Sequence, residues 1–297
     1  MTSPADDARV HVGPGDDAAV LADGTVLTAD ALVEGVHWDH RHSAEDVGAR
    51  LVAVNASDVA AMGARPSWAL LTLSLPVPLD RAWVDGFARG LQGALRALGI
   101  PLLGGDTTRS PLGVHASLTM AGWLVAAPLL RAGAGPDEDI WVSGTLGDAG
   151  GGFSLPDPPA PLLDALRRPA PPLDLGPALA EAGLATAAMD LSDGLATDLP
   201  RLCRASGVGA VVDPDALPIS AALSSAIPDP IDLAAGFGDD YTLLFTAPPA
   251  HAARVRDLGQ RLGVRLSRVG RTTRTPAVIL QGRPWPAGWQ HFEGAGA

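Results

Sequence analysis

Five short segments of this chain place aspartate beside glycine. They are Gly15-Asp16-Asp17, Gly104-Gly105-Asp106, Leu146-Gly147-Asp148, Ser192-Asp193-Gly194 and Gly238-Asp239-Asp240. Glycine lets the backbone adopt positive φ and approach a ligand closely, and aspartate holds its oxygens on few rotatable bonds. One such segment indicates an ordinary turn, whereas the recurrence favours a shared site built from several loops.

Between these segments the apolar pattern alternates between strands and helices, which predicts an α/β or α+β fold. Residues 44–63 are predicted to form a helix in which Val47, Leu51 and Met62 share one apolar stripe. Asp58 falls inside that stripe. Because burying an unpaired charge is costly, we expect Asp58 to have a cation partner, either an arginine or a metal ion.

The remaining pattern divides the chain into two domains, 1–133 and 134–297, with a boundary rich in glycine and proline at 131–136. Further strands are predicted at 25–30, 67–75, 114–124 and 139–143, and a second helix at 81–99. The segment 102–108 is predicted to be a loop, and Pro200 is expected to start or kink a helix because proline lacks an N–H.

Every one of the 21 basic residues is arginine, since the sequence contains no lysine. A Walker loop that ends in Gly-Lys-Ser/Thr, the strand lysine of protein kinases and Schiff-base catalysis are therefore excluded. The single cysteine, Cys203, excludes an internal disulfide and a thiolate zinc cluster within the chain.

The formal net charge of -12 argues against nucleic acid and anionic membranes as partners. The N-terminus lacks the features of a signal peptide, and no apolar run is long enough for a membrane span, so we expect a cytoplasmic protein. Aspartate oxygens from several loops are the ligands that hard cations prefer, and Mg²⁺ commonly bridges carboxylates to substrate phosphates. These features favour phosphoryl transfer assisted by Mg²⁺, without a covalent nucleophile from the protein.

Seven motifs follow one another along the chain. They are GPGDDAAV, LTADALVEGVHW, VNASDVAAMGARP, LLGGDTTRSP, VSGTLGD, MDLSDGLATDL and GDDYTLLFT. In these motifs and their order the chain resembles the thiamine-monophosphate kinases, which are related to aminoimidazole ribonucleotide synthetase. The resemblance spans about residues 13–292. It implies a fold of two α/β (α+β) domains, a homodimer formed through the sheet of the first domain, and ATP-dependent phosphorylation of thiamine monophosphate to thiamine diphosphate with several Mg²⁺ ions. Because a phosphate monoester is largely dianionic at neutral pH, such an acceptor needs little or no general base, and we expect direct in-line transfer without a phosphoenzyme.

The resemblance also implies roles for individual residues. The positions that match metal ligands are Asp16, Thr28, Asp30, Asp58, Asp106, Asp190 and Asp193. Those that match ATP contacts are Gly105, Asp106, Arg131 and Ser192, and those that match contacts to the thiamine substrate are His37, Asp239 and Trp289. Asp17 is expected to support the site rather than to bind a metal.

Two positions depart from the family pattern. Ala29 stands where the family usually has threonine, and Asp239 stands where it has glutamate. The second change shortens a substrate-contacting carboxylate by one methylene. The alternatives are another enzyme of the same superfamily, such as aminoimidazole ribonucleotide synthetase or, less in keeping with the position of Cys203, selenide-water dikinase, and a non-catalytic nucleotide- or metal-binding protein.

Overall fold

Two six-stranded sheets organise the chain, one in each half. The computed structural model describes residues 7–78 and 80–288. The first sheet contains β1 (Val10–Val12), β2 (Ala19–Leu21), β3 (Thr25–Val33), β4 (Ala64–Leu75), β5 (Leu102–Arg109) and β6 (His115–Leu124), in the spatial order β1-β2-β3-β6-β4-β5. Only β4 and β5 are parallel, so this sheet is mostly antiparallel.

Two helices cover one face of the first sheet, α1 (Ala44–Ala61) and α2 (Arg81–Leu98). Ser43 begins α1 with a capping box closed by Asp46, and Gly99 ends α2 in the left-handed conformation. The two helices cross closely at Gly48, where an added Cβ would lie 2.2 Å from the carbonyl oxygen of Phe87. With α2 packed against it, the apolar stripe of α1 packs on the sheet and joins it in one apolar cluster.

The second sheet contains β7 (Asp139–Ser143), β8 (Ala187–Leu191), β9 (Gly209–Val212), β10 (Thr242–Ala247), β11 (Leu266–Thr273) and β12 (Val278–Leu280), in the order β12-β9-β11-β7-β10-β8. Its helices are α3 (Asp148–Ser154), α4 (Ala160–Arg167), α5 (Leu175–Ala182), α6 (Leu195–Ser206), α7 (Ala221–Ala226), α8 (Ile231–Gly236) and α9 (Ala252–Leu262), with 3₁₀ turns at Pro214–Ala216 and Pro249–His251. Apolar clusters cover both faces, one including α6 and α8 and the other α5 and α9.

Local patterns predicted several elements correctly. The helix at 81–99, the strand at 139–143 and the apolar stripe of α1 are confirmed, since Val47, Leu51 and Met62 are fully buried. No helix in the described parts of the chain is long and apolar enough to cross a bilayer. The domain boundary at 133/134 remains a prediction.

One expectation was wrong, and another was wrong in part. The segment 102–108 is not a loop but forms the edge strand β5, paired along β4. Pro200 does not start a helix but lies inside α6, and a kink there stays a prediction. Its missing N–H would have bonded the carbonyl oxygen of Ala196, and the indole N–H of Trp285 donates to that oxygen instead, at 3.0 Å. A tertiary contact therefore satisfies the carbonyl that proline left open.

Candidate active site

Helix α1 brings the first carboxylates of the site together. Asp58 projects toward β3, where the hydroxyl of Thr28 donates to Asp58 Oδ2 at 2.6 Å. One turn earlier, Asn55 Oδ1 accepts the backbone N–H of Asp30 at 3.0 Å and so fixes this point of β3 against the helix. Three residues predicted as metal ligands, Thr28, Asp30 and Asp58, therefore lie at one contact between strand and helix.

The same helix reaches the second half of the chain. Ser57 donates its hydroxyl to Asp190 Oδ2 at 2.8 Å, at the end of β8, and Asp190 is only 3% exposed. A cavity of about 10 Å³ lies beside this contact, lined by Ser57, Asp190 and Thr242 among others. Its size suits about one water molecule. The predicted ligands of the two halves thus meet across α1.

The Gly15-Asp16-Asp17 turn is joined to Arg131. Asp16 Oδ1 accepts the backbone N–H of Arg131 at 2.7 Å, and Asp17 Oδ1 accepts from the Arg131 guanidinium at 3.0 and 2.5 Å. The other oxygen of Asp17 accepts the backbone N–H of Asp190 at 3.3 Å. Asp17 is consequently a buried link between Arg131 and β8, which agrees with its expected supporting role.

Negative charge accumulates at this junction. Burial raises the pKa of Asp58 and of Asp190 well above the ordinary value, and the neighbouring carboxylates Asp30 and Asp17 raise both further. Burial also raises the pKa of Asp17 to about 6, against the opposing effect of Arg131. In the part of the chain that the structure describes, no arginine forms an ion pair with Asp58 or Asp190, so the cation partner expected for Asp58 is not an arginine.

The loop after β8 has its own arginine. Arg201 Nη1 donates to Asp193 Oδ2 at 2.6 Å and to Asp198 Oδ1 at 2.7 Å, while Asp198 Oδ2 accepts the backbone N–H of Asp193 at 3.0 Å. Burial, together with the charge of Asp193, raises the pKa of Asp198 to about 7. The predicted ligand Asp193 is thus held at the edge of the site by a fixed positive charge.

The Gly238-Asp239-Asp240 loop packs directly on the Ser192 loop. An added Cβ at Gly238 would lie 2.2 Å from the carbonyl oxygen of Ser192, and that oxygen accepts the N–H of Asp239 at 2.8 Å. The carboxylate of the next residue, Asp240, instead accepts the N–H of Gly147 at 2.8 Å. Three of the five glycine-aspartate segments therefore interlock here.

His37 lies in the loop that follows β3. Its Nδ1 accepts the N–H of Val33 at 3.0 Å, so in the neutral ring the proton resides on Nε2. Beside this loop a recess of about 380 Å³ is lined by His40, Arg41, Phe153 and neighbouring proline and leucine residues. The Arg41 guanidinium lies over the Phe153 ring at 4.3 Å, joining the two halves at this recess.

Two predicted residues lie apart from the others. Asp106, on β5, is paired laterally with Thr72, then Ser117, then Ala31, which places it on the sheet face opposite Asp30. Gly105 precedes it, and an added Cβ there would lie 1.7 Å from the carbonyl oxygen of Leu71. Within the chain, this edge strand is three strands away from β3, which carries Asp30. Trp289 falls outside the described residues.

Sequence reasoning missed several supporting residues. Asn55, Ser57, Asp198 and Arg201 hold the predicted ligands or their backbone in place. Asn55 and Ser57 stand inside the VNASD motif that contains Asp58, so polar residues on an otherwise buried helix were the available signal. Among residues 7–78 and 80–288, no three His, Cys, Asp or Glu side chains converge closely enough to enclose an ion by themselves.

Comparison with known proteins connects this geometry to a family. Models of the AIR synthase related proteins match both halves, the N-terminal domain at residues 15–124 and the C-terminal domain at residues 135–283. Thiamine-monophosphate kinase of Salmonella typhimurium is 37% identical over 303 residues, which cover 96% of this chain and 92% of that protein. This chain belongs to the thiamine-monophosphate kinase family.

Two solved structures of thiamine-monophosphate kinases share the fold. The enzyme of Stenotrophomonas maltophilia K279a is 39% identical with a TM-score of 0.81, covering 94% of this chain and 93% of that chain. AaThiL complexed with AMPPCP and TMP is 31% identical with a TM-score of 0.83, covering 94% of this chain and 91% of that chain. The family and the two-domain α+β fold predicted from the motifs are confirmed.

Proposed function

We propose that this chain transfers the γ-phosphoryl group of ATP to thiamine monophosphate and so produces thiamine diphosphate. Family membership along both domains supports this reaction, as does the relative that binds an ATP analogue and TMP together. The observation that carries the proposal is the largely buried junction of Asp58, Asp190, Asp30 and Asp17, which brings four carboxyl groups together where the two halves meet. Cations bound at this junction would compensate the carboxylates and bind the substrate phosphates.

The donor set at this junction fits Mg²⁺. Its members are carboxylates supported by hydroxyls, and hard cations prefer such oxygen ligands. Asp16, Thr28, Asp30, Asp58 and Asp190 would hold several ions there, with Asp193 at the edge. Because Mg²⁺ usually keeps water and substrate phosphate among its ligands, an open set of carboxylates suits it better than a closed cage. When bound, Mg²⁺ would neutralise the charge between the two phosphate groups.

The phosphate of the acceptor needs little help as a nucleophile. A phosphate monoester has a second pKa of about 6, so it is largely dianionic at neutral pH and no general base from the protein is required. The residues of this chain therefore bind and orient two polyanions rather than form a covalent intermediate. Direct in-line transfer follows, and trapping a phosphorylated enzyme from ATP alone would contradict it.

Binding of ATP is assigned to Arg131 and Ser192 on the nucleotide side. In a chain without lysine, Arg131 is a basic residue that contacts the carboxylate junction directly, because its guanidinium donates to Asp17. On the acceptor side we assign His37, Asp239 and Trp289, with the recess beside His40 and Phe153 available for the two rings of thiamine. A volume of about 380 Å³ lies within the range of pockets that bind small molecules.

We also propose that the active form is a homodimer in which Gly105 and Asp106 serve the site of the other copy. Three features support this arrangement. The face of the first sheet opposite α1 exposes Ala29, Ala31 and Leu70, β5 is exposed along its whole length, and Asp106 lies on that open face rather than beside Asp30.

Mixing two inactive variants tests the shared site. If Asp106 acts across the dimer, combining Asp58→Asn with Asp106→Asn leaves one intact site in each mixed dimer, so about a quarter of wild-type activity returns after random exchange. If Asp106 acts within its own chain, no activity returns. Sedimentation as a monomer at micromolar concentration would also contradict the dimer.

One assay tests the reaction itself. We expect ADP to form only when ATP, Mg²⁺ and thiamine monophosphate are all present, with thiamine diphosphate identified by mass spectrometry. Thiamine in place of its monophosphate is the matched control for the acceptor. Binding of ATP without turnover with either acceptor would instead indicate a non-catalytic nucleotide-binding protein.

A further inference from the structure

Arg50 is a charged side chain buried in the apolar part of α1, with 1% of its surface exposed. Its Nη2 donates to Asp239 Oδ1 at 2.5 Å, and its Nη1 donates to the carbonyl oxygen of Leu166 at 2.8 Å. The guanidinium also lies 5.6 Å from the centre of the Tyr241 ring. A guanidinium is rarely buried without a specific partner, and here the main partner is a residue expected to touch the substrate.

The backbone around Asp239 is held in an unusual conformation. Asp239 has φ of 69° and Tyr241 has φ of 47°, in the left-handed region that favours glycine. Non-glycine residues stay there only when their surroundings enforce it, and such positions concentrate at ligand-binding sites. The N–H of Asp239 bonds the carbonyl of Ser192, and Arg50 fixes the side chain, so both backbone and carboxylate are constrained.

The two oxygens of the Asp239 carboxylate differ in their surroundings. Oδ1 is bound by Arg50, whereas Oδ2 accepts no hydrogen bond from the described residues, and the side chain is 28% exposed. One oxygen is therefore anchored inside the protein while the other remains able to accept a bond from a molecule outside. The anchoring charge comes from the helix that also supplies Asp58.

We propose that Arg50 is a positioning residue for the acceptor: it orients the Asp239 carboxylate so that Oδ2 receives a donor group of the thiamine phosphate. This inference rests on the proposed function, because it concerns the acceptor side of the same site. It also accounts for how a carboxylate one methylene shorter than glutamate is held at a fixed place. Since α1 holds both the metal-side Asp58 and Arg50, one rigid element sets the distance between the phosphates and the recognised end of the acceptor.

The arginine fork is suited to this task. It binds the Asp239 carboxylate and the Leu166 carbonyl through separate nitrogens, which a lysine ammonium on a flexible stem cannot reproduce with the same geometry. Arg50→Lys should therefore keep the charge but lose part of the orientation, and Arg50→Gln should lose both.

The experiment compares steady-state kinetics and calorimetric binding for Arg50→Gln, Arg50→Lys, Asp239→Ala and the double variant Arg50→Gln/Asp239→Ala. We expect Arg50→Gln to raise the KM and Kd for thiamine monophosphate about ten- to a hundredfold, the range for loss of a charge-assisted bond, while the KM for ATP stays within about twofold. Arg50→Lys should lie between the wild type and Arg50→Gln. Adding Arg50→Gln to Asp239→Ala should change the acceptor KM by less than about twofold, since both changes remove the same contact.

Arg65→Gln is the matched control, because it removes another pair between the two halves, Arg65 with Asp174, whose side chains are 53% and 74% exposed and which does not involve Arg50 or Asp239. Equal losses of ATP and acceptor affinity, or full multiplicative effects in the double variant, would show a merely structural role and overturn the proposal. If Arg50→Gln does not fold, Arg50→Lys decides: an unchanged acceptor KM in that variant overturns it as well. Absence of wild-type turnover would reject the proposed function instead.

Discussion

The two ends of the site treat their carboxylates differently. At the junction of α1 and β8, Asp190 is buried and Asp58 half-buried, and both accept from hydroxyl donors, Ser57 and Thr28, without a paired arginine. Next to this junction, arginine pairs with three other carboxylates: Arg201 binds Asp193 and Asp198, and Arg50 binds Asp239.

This difference separates two tasks. Carboxylates already neutralised by arginine hold their geometry before any ligand arrives, because their counter-charge is part of the fold. Carboxylates left without a counter-charge repel one another until a cation binds, so they supply both affinity and response to metal. The carboxylates paired with arginine are therefore suited to recognising an organic substrate, and those without a counter-charge are suited to binding metal ions.

Removing a charge from the junction should have the largest effect. We expect Asp58→Asn to lower kcat about a thousandfold or more, through lost stabilisation of the transferring phosphoryl group, while the melting temperature of the metal-free protein rises because repulsion is relieved. Kinetic assays and calorimetry in chelator measure the two outcomes. Asp174→Asn, at an exposed position, is the control. Near-normal turnover in Asp58→Asn would contradict the assignment of the metal site.

The stability of the metal-free protein should depend on pH. Burial raises the pKa of Asp198 to about 7 and that of Asp17 to about 6, from 3.8. The native state therefore holds more protons than the unfolded chain between about pH 4 and pH 7, and stability falls as pH rises through this window. We expect the free energy of unfolding to drop by about 2 to 4 kcal/mol from pH 5 to pH 8. Urea denaturation in chelator checks this, and a rise over the same range would contradict it.

Removing an arginine from the neutralised loop should have an intermediate effect that depends on pH. Arg201→Gln leaves Asp198, whose side chain is fully buried, without its ion partner. We expect a loss of about 2 kcal/mol in unfolding free energy at pH 8. At pH 5 the loss should shrink, because Asp198 can then become protonated. An equal loss at both values, in denaturant titrations, would show that Arg201 stabilises by packing alone.

The smallest effect is expected where both partners are solvated. Arg65 and Asp174 form a pair at 2.9 Å with side chains 53% and 74% exposed. Exposed pairs contribute little, so Arg65→Gln should change the unfolding free energy by less than about 0.5 kcal/mol at any pH between 5 and 8. A larger change would mean that contacts between the halves, rather than buried charges, dominate stability.

Local patterns in the sequence predicted the parts of this molecule that depend on near neighbours. The periodicity of 81–99 and the apolar run at 139–143 give the correct elements, and the polar Asp58 inside a buried stripe pointed to the junction itself. In each case the signal lies within one helix or strand.

Other features depend on distant partners. Residues 102–108 contain two adjacent glycines, which indicate a loop until β4 is known to lie alongside them. The pair of Arg50 and Asp239 joins positions 189 residues apart, and no periodicity reports such a contact. Asp106 and Asp30 likewise lie on opposite faces of the first sheet because of the register of four strands, and only the folded sheet defines that register.

The proline inside α6 links two distant positions in how the chain can change. Because Pro200 has no N–H, the Ala196 carbonyl receives its hydrogen bond from the Trp285 indole instead. Replacing Trp285 would therefore leave a buried carbonyl oxygen without a hydrogen-bond donor. A residue with an N–H at position 200 would close the same carbonyl within the helix. We therefore expect these two positions to vary together among relatives, so that the end of the second domain is tied to a single backbone bond in the helix that follows the Asp193 loop.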